Sequence, residues 1–371
     1  MRRLLAALLL LSCSPISSDA KVTLDGALLR QDKSAAASVK TVLVRIPDPL
    51  ELITQGITVV GTLGLACLSE SSLAICKTVQ SSTTDGDGRF HYEMKGSDVK
   101  GSLGQVSLFQ LAASLPNGGA SMQVGNFSFQ KEELTIPAIQ LWEPTGVMLA
   151  STPAELRVRW DAFGGSHGHE PSSGYSVRFA ADAGGDVWVQ SAATSDGPID
   201  ARAVEDAFGR LTVAAHDKLD EFDLTYRSAA VAWSRAGSPV PPSRGKPCLV
   251  EGPSGPEDAG VPCPLSNGAF GDTFPLRQAC MPDAGTCTVN RFVQLDLGAA
   301  QTVTTVFAHG LTATGKIAVE TSLDGAAFTE VARVERAETY LRLSLPATSA
   351  RWVRLRAVDG SLSALNELSV W

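Results

Sequence analysis

Short runs of alternating or β-branched apolar residues recur along the whole chain, separated by Gly, Pro, Asp and Ser. VKTVLVRI (39–46), RFHYEM (89–94), LRVRW (156–160), YSVRF (175–179), LTYRSAAVAW (224–233), FVQLDL (292–297), KIAVET (316–321) and RWVRLRAV (351–358) alternate or run apolar and β-branched, as strands do. No stretch keeps a helical period for more than about three turns, so the pattern predicts an all-β chain. Turn residues at short intervals suit β-sandwiches, which close their cores with many short strands.

Two breaks divide the series. In IQLWEPTG (139–146) a strand stops at a proline, and a fresh strand pattern begins after STPAEL. SRAGSPVPPSRGKPC (234–248), rich in Pro, Ser and Gly, reads as a stiffened linker. The breaks predict three β-sandwich domains in tandem, at 21–143, 145–238 and 248–371, with a linker at 239–247. Ile53 to Ala66 is the most apolar later stretch. Its glycines, Gln55 and short length make it a buried strand pair, since a spanning helix needs about 20 apolar residues.

The N-terminus has a different pattern. Arg2 and Arg3 precede an unbroken apolar run from Leu4 to Leu11, the charged and hydrophobic segments of a secretory signal. Leu10, Leu11, Ser12 and Cys13 resemble the lipobox of bacterial lipoproteins. The resemblance implies a signal peptide at 1–12, cleavage before Cys13, a diacylglycerol on the Cys13 thiol and a tether at 13–20. At about 0.8 kcal/mol per buried CH2, the two or three acyl chains of such proteins hold firmly. The plainer alternative is a secreted chain cut near Asp19 or Ala20.

Composition narrows the partners. Hydrophobic residues make up 44% of the chain, which supports packed cores. The formal net charge is −8 and Lys and Arg form no long cluster, so nucleic acid is a poor candidate partner. Seven cysteines become six once Cys13 is lipidated, an even number suited to three disulfides in an oxidising compartment. Cys67 is expected to pair with Cys76, because the next cysteine downstream is Cys248. Cys248, Cys263, Cys280 and Cys287 permit three connectivities, of which 248 with 263 and 280 with 287 is favoured. No CxxC pair is present and His309 is the only nearby histidine, which argues against zinc.

Three stretches resemble known families. TTDGDGRFHYEM (83–94) is similar to the carboxypeptidase regulatory-like and prealbumin-type sandwiches of bacterial surface proteins. Asp85 and Asp87 there suit a tight hairpin better than a calcium loop, because position twelve from Asp85 is Gly96 where a glutamate is required. LRVRW ending at Trp160, GYSVRF from Gly174 and the closing LTYRSAAVAW resemble a fibronectin type III module. That likeness implies a core of Trp160 and a tyrosine of the facing sheet. Between these strands DAFGGSHGHEPSSG (161–174) holds His167, His169 and Glu170, which read as a solvated loop before they read as metal ligands.

The third resemblance is the most specific. NRFVQLDLGAAQTVTTVFAHG (290–310), IAVETSLDGAAFTEVA (317–332), ARWVRLRAV (350–358) and LNELSVW (365–371) follow the block order of the discoidin, or coagulation factor type C, family. Members are jelly-roll sandwiches that overlap with carbohydrate-binding modules. The residues agree with it: Phe292, Val293, Leu295 and Leu297 can line sheet faces, Gly298 is expected to end the strand, and LDG (323–325) is a hairpin turn.

In that family ligands bind on loops at one end, and many members hold a structural Ca2+. The matching loop is PLSNGAFGDTF (264–274), where the resemblance implies Asn267, Asp272, Thr273 and Glu367 as oxygen donors; Asn267 stands where Asp is usual, which weakens the site. Sugar recognition wants an aromatic platform and polar groups for hydroxyls, for which Phe270, Phe274, Arg277, Gln278, Arg291 and His309 are the candidates. No G-x-S-x-G elbow, HExxH or P-loop is present, and no catalytic pairing is visible. The expectation is a lipid-anchored protein of a bacterial cell envelope, with two modules as a spacer and a C-terminal binding head for carbohydrate. Ser14 replaces the aspartate that favours inner-membrane retention, so a Gram-negative host implies the outer membrane. The competing reading is a structural subunit of an envelope secretion or motility machine that contacts protein.

Overall fold

The computed structural model describes residues 14–48, 77–102, 104–144, 147–151, 155–181, 186–204, 208–234, 240–252, 255–276, 279–280, 287–288 and 290–371. Cys13, Cys67, Cys76, Arg277, Gln278 and the 53–66 stretch lie outside the described residues, as do the side chains of Cys280 and Cys287.

The chain is all-β, as the alternation predicts. Its first third runs through β1 (Lys21–Leu29), β2 (Lys40–Arg45), β3 (Lys77–Thr83) and β4 (Arg89–Lys95). It continues through β5 (Phe109–Ser114), β6 (Ser121–Phe127), β7 (Glu133–Thr135) and β8 (Ile139–Gln140). In β4 the period of two is fully used: Phe90, Tyr92 and Met94 are buried while His91 and Glu93 face water. The Asp85 carboxylate accepts the N–H groups of Asp87 and Arg89 at 2.9 and 2.8 Å, and Gly88 adopts φ 75°. This turn is not the expected hairpin. β3 pairs with β2 and β4 with β1, so it carries the chain from one sheet to another.

The middle third contains β9 (Met148–Ser151), β10 (Glu155–Arg159), a short helix α1 (Phe163–His167), β11 (Tyr175–Ala181) and β12 (Asp186–Ala192). After them come β13 (Asp196–Asp200), β14 (Phe208–Leu219), β15 (Phe222–Arg227) and β16 (Val231–Ser234). The sheets do not stop at the break in IQLWEPTG. β15 pairs with β6, Leu224 opposite Val124, and one nine-stranded sheet runs β12-β11-β14-β15-β6-β5-β2-β3 with β16 on β14. Pairing of these two strands covers two edges that separate sandwiches would leave open. Smaller sheets, β4-β1-β7 with β8 and β13-β10-β9, complete the layers around one shared core. Within it Trp160 meets Tyr175 edge to face at 5.3 Å.

The last third holds β17 (Cys248–Gly252), β18 (Gly255–Asp258), β19 (Phe274–Pro275), β20 (Ala279–Cys280) and β21 (Cys287–Thr288). Then follow β22 (Phe292–His309), β23 (Thr312–Ala313), β24 (Ile317–Ser322), β25 (Thr329–Val334), β26 (Tyr340–Ala357), β27 (Leu362–Leu365) and β28 (Glu367–Val370). The main sheet is β18-β17-β22-β26-β24-β25 with β28 on β22, and β19-β27-β23 forms a second. Val293, Leu295 and Leu297 join Val353 and Leu355 in a core of their own. Gly298 does not end its strand: at φ 83° it begins a bulge, and β22 continues to His309. A disulfide links Cys248 to Cys263 inside this core, and Cys280 faces Cys287 in register across β20 and β21.

The stretch read as a linker is folded against the head. Ser243 is fully buried and its Oγ accepts the Val370 N–H at 2.9 Å, while Ser266 Oγ donates to the Lys246 carbonyl at 2.7 Å. These bonds satisfy backbone groups that a free linker would leave to water.

Candidate ligand-binding site

The candidates suggested by the sequence that lie among the described residues divide by burial: Phe270 and His309 are buried, Phe274 is half-buried and Arg291 is exposed. Arg291 immediately precedes β22 and His309 is its last residue.

At the His309 end the site is closed. The ring is fully buried; its Nδ1–H donates to the Val187 carbonyl of β12, and Ser369 Oγ approaches Nε2 at 3.5 Å. Burial pushes its pKa down to about 4, and the Arg244 guanidinium adds to the shift, although the Val187 bond opposes it. Phe270 stands edge-on to it at 4.8 Å and is 2% exposed. Neither side chain presents a face to solvent, so this pair seals the head against the body and offers a sugar no platform. Trp188 meets Phe307 edge to face at 5.4 Å, and Asp200 takes Arg342 at 3.2 Å across the same junction.

Arg291, Phe274, Phe292 and Arg354 keep contact with solvent. Arg291 is exposed and pairs with Glu251 at 2.7 Å, its backbone N–H donating to the same carboxylate at 2.7 Å. Phe274 is half-buried in β19, opposite Leu365. The outer face of the main sheet adds a group that sequence reasoning missed. The Arg354 guanidinium lies between the Phe292 ring at 4.6 Å and the Phe328 ring at 3.6 Å, and donates to Gln294 Oε1 at 2.8 Å. Burial depresses its pKa, and Glu320 partly restores it. The signal was available in the alternation, because Phe292, Gln294, Arg354 and Glu320 occupy the positions opposite to the core residues of their strands.

The calcium donors come together only in part. Glu367 is fully buried beneath the 264–274 loop and accepts the Gly268 N–H at 3.1 Å. Asn267 Oδ1 is engaged by the Ala269 N–H at 2.7 Å, and Asp272 and Thr273 are exposed. Arg244 Nε lies 3.9 Å from the second Glu367 oxygen, and its guanidinium packs over Gly268 and towards the Phe270 ring. A calcium shell needs six to eight oxygens; here the buried carboxylate already has a guanidinium beside it, and the residues do not fit the ion. Among the described residues no group of three or more His, Cys, Asp and Glu could hold a metal.

The histidine loop of the middle third is likewise engaged. His167 stacks on Phe163 at 3.8 Å and bonds the Gln140 carbonyl at 2.9 Å, while Glu170 accepts the Tyr175 hydroxyl at 2.8 Å. Residues 163–167 are helical, so the alternation that would aim His167 and His169 together is lost.

No protein-family description and no curated protein matches the chain. Solved structures do. The chain is similar to chitosan-binding module 2 of a chitosanase/glucanase from Paenibacillus sp. IK-5, in complex with chitotriose, at 15% identity over 35% of this chain and 98% of that one, TM-score 0.28. It is similar to a carbohydrate-binding module from Clostridium perfringens in complex with GalNAc-β-1,3-galactose, at 16% identity over 29% and 81%, TM-score 0.25. The lectin domain of lectinolysin, complexed with Lewis B antigen, matches at 16% identity over 35% and 94%, TM-score 0.26.

Proposed function

We propose that the chain is a lipid-anchored envelope protein whose C-terminal sandwich is a non-catalytic head that binds carbohydrate. One observation carries the reading. His309 and Phe270 are buried against the body, whereas Arg291 is exposed and Phe274, Phe292 and Arg354 keep part of their surface in solvent. Aromatic surface beside fixed donors and acceptors is what sugar hydroxyls and ring faces require. The body shares one sheet and one core, and serves as a spacer of fixed shape rather than as hinged modules. Diacylglycerol on Cys13 ties the spacer to the membrane, the outer one in a Gram-negative host.

A glycan array probed with the full chain tests the head. Selective retention that Arg291→Ala and Phe274→Ala weaken supports the reading. A blank array together with a stoichiometric protein partner in a pull-down replaces it with the structural-subunit alternative. Mass spectrometry of the membrane-extracted chain tests the anchor, and a Cys13 without acyl chains removes it.

A further inference from the structure

A cavity of about 780 Å3 opens between β12 and β13 of the body and the start of β26 of the head. That volume lies in the range of small-molecule sites, which favour boundaries between structural units. Trp188 forms part of its lining and is 4% exposed, while Tyr340 is half-buried on the head's side. Asp200 Oδ2 takes Arg202 at 2.7 Å and Arg342 at 3.2 Å. Two guanidinium ions therefore share one carboxylate, which they hold below the usual range despite its burial. At the rim Arg336 and Glu338 are both exposed and offset each other, so the surplus positive charge stays inside the cleft. This local sign is opposite to that of the chain, whose formal net charge is −8. The arm of Arg342 that does not reach Asp200 donates to the neutral Ser344 Oγ at 2.8 Å, so one carboxylate offsets the charge of both guanidinium ions.

We propose that this cleft binds a carboxylate-bearing saccharide, a uronate unit, with its ring against Tyr340 and its carboxylate on the guanidinium pair. Guanidinium forks match planar carboxylates, and an aromatic edge beside them suits a sugar ring better than a bare ion. The site is built by body and head together from side chains other than Arg291, Phe274, Phe292 and Arg354, so it does not depend on the carbohydrate site proposed above.

Calorimetric titration of the full chain with galacturonate and mannuronate oligomers, against neutral oligosaccharides of equal length, tests it. The expected result is uronate binding at least about tenfold tighter than neutral binding, weakened by 0.5 M salt as screening requires. Arg336→Glu and Arg342→Gln should each lower uronate affinity at least about fivefold, and Arg291→Ala should leave it unchanged. Arg336 is on the exposed rim, so its variant reads the cleft even where Arg342→Gln loosens the junction. Equal affinity for acidic and neutral oligomers, absence of uronate binding, or uronate binding lost in Arg291→Ala but intact in Arg336→Glu overturns the proposal. Glycan retention that Arg291→Ala and Phe274→Ala leave unchanged, which would count against the site proposed above, leaves this prediction standing.

Discussion

Body and head bury their side chains differently. The head encloses a core of Leu, Val, Ile and Ala with the Cys248–Cys263 disulfide inside it. The body's core, shared by the first two thirds of the chain, is rich in Phe, Tyr and Trp. Two rings of the head, Phe270 and Phe307, belong to the body's aromatic core and not to the head's own. Among the head's fully buried positions, aliphatic ones thus mark what the head builds alone, and the two rings mark where it docks. The direction in which the head points depends on a small number of rings.

Removing one of those rings should break the contrast most severely. Phe307→Ala deletes a fully buried side chain that stands at 90° to Trp188, and should cost about 4 kcal/mol. Calorimetry should then resolve separate transitions for head and body. Unchanged melting in this variant would mean that the rings do not couple the two.

Acid should weaken the same seam. The folded pKa of His309, about 4, lies below its ordinary value of 6.5, so between these pH values the unfolded chain binds the proton more readily. Stability is therefore full above pH 6.5 and falls as pH drops towards 4, by about 3 kcal/mol in total. His309→Gln cannot titrate, and its stability should fall by correspondingly less over that window. Parallel pH curves for the two proteins would show that the ring is not held neutral.

Much of the head was legible because each block carries its own alternation and its neighbours in the sheet lie within the same third of the chain. The nine-stranded sheet was not, because the pairing of β6 with β15 joins strands about a hundred residues apart, and neither strand advertises its partner. Residue type and the discoidin-like resemblance together suggest Phe270 and His309 as ligand-binding residues, yet both are buried. Their real surroundings were hinted at by residues 305 to 309, where every position is buried, an unbroken run typical of a strand covered on both faces. The residue types around Arg291 were readable, but its ion pair with Glu251 depends on a contact between separate strands.

The disulfide sharpens the contrast from the other side, since it lies wholly within the head. It closes a separation of 15 residues, for which the chain-entropy account gives about 3 kcal/mol. Replacing Cys248 and Cys263 with Ala together should lower the head's transition and leave the body's melting in place, provided the comparison is made on the Phe307→Ala background where the two are resolved. An equal fall in both transitions would show that the seam transmits the loss even without its ring.

The smallest effect concerns the charge beneath the 264–274 loop. Arg244 comes from the stretch before β17, Gly268 from the loop and Glu367 from β28, so one guanidinium ties three segments of the head. Arg244→Ala weakens the compensation of a fully buried carboxylate; because Arg244 is partly exposed and 3.9 Å away, the loss should be about 2 kcal/mol, less than for a tight buried pair. Millimolar calcium should leave the melting temperature of the natural chain within about 1 °C, since a ligand stabilises only where it binds the folded form. In Arg244→Ala, calcium should raise the melting temperature if the guanidinium occupies a cation's place. A calcium-dependent rise in the natural chain would instead mean that Arg244 swings away and the oxygens around Glu367 accept the ion.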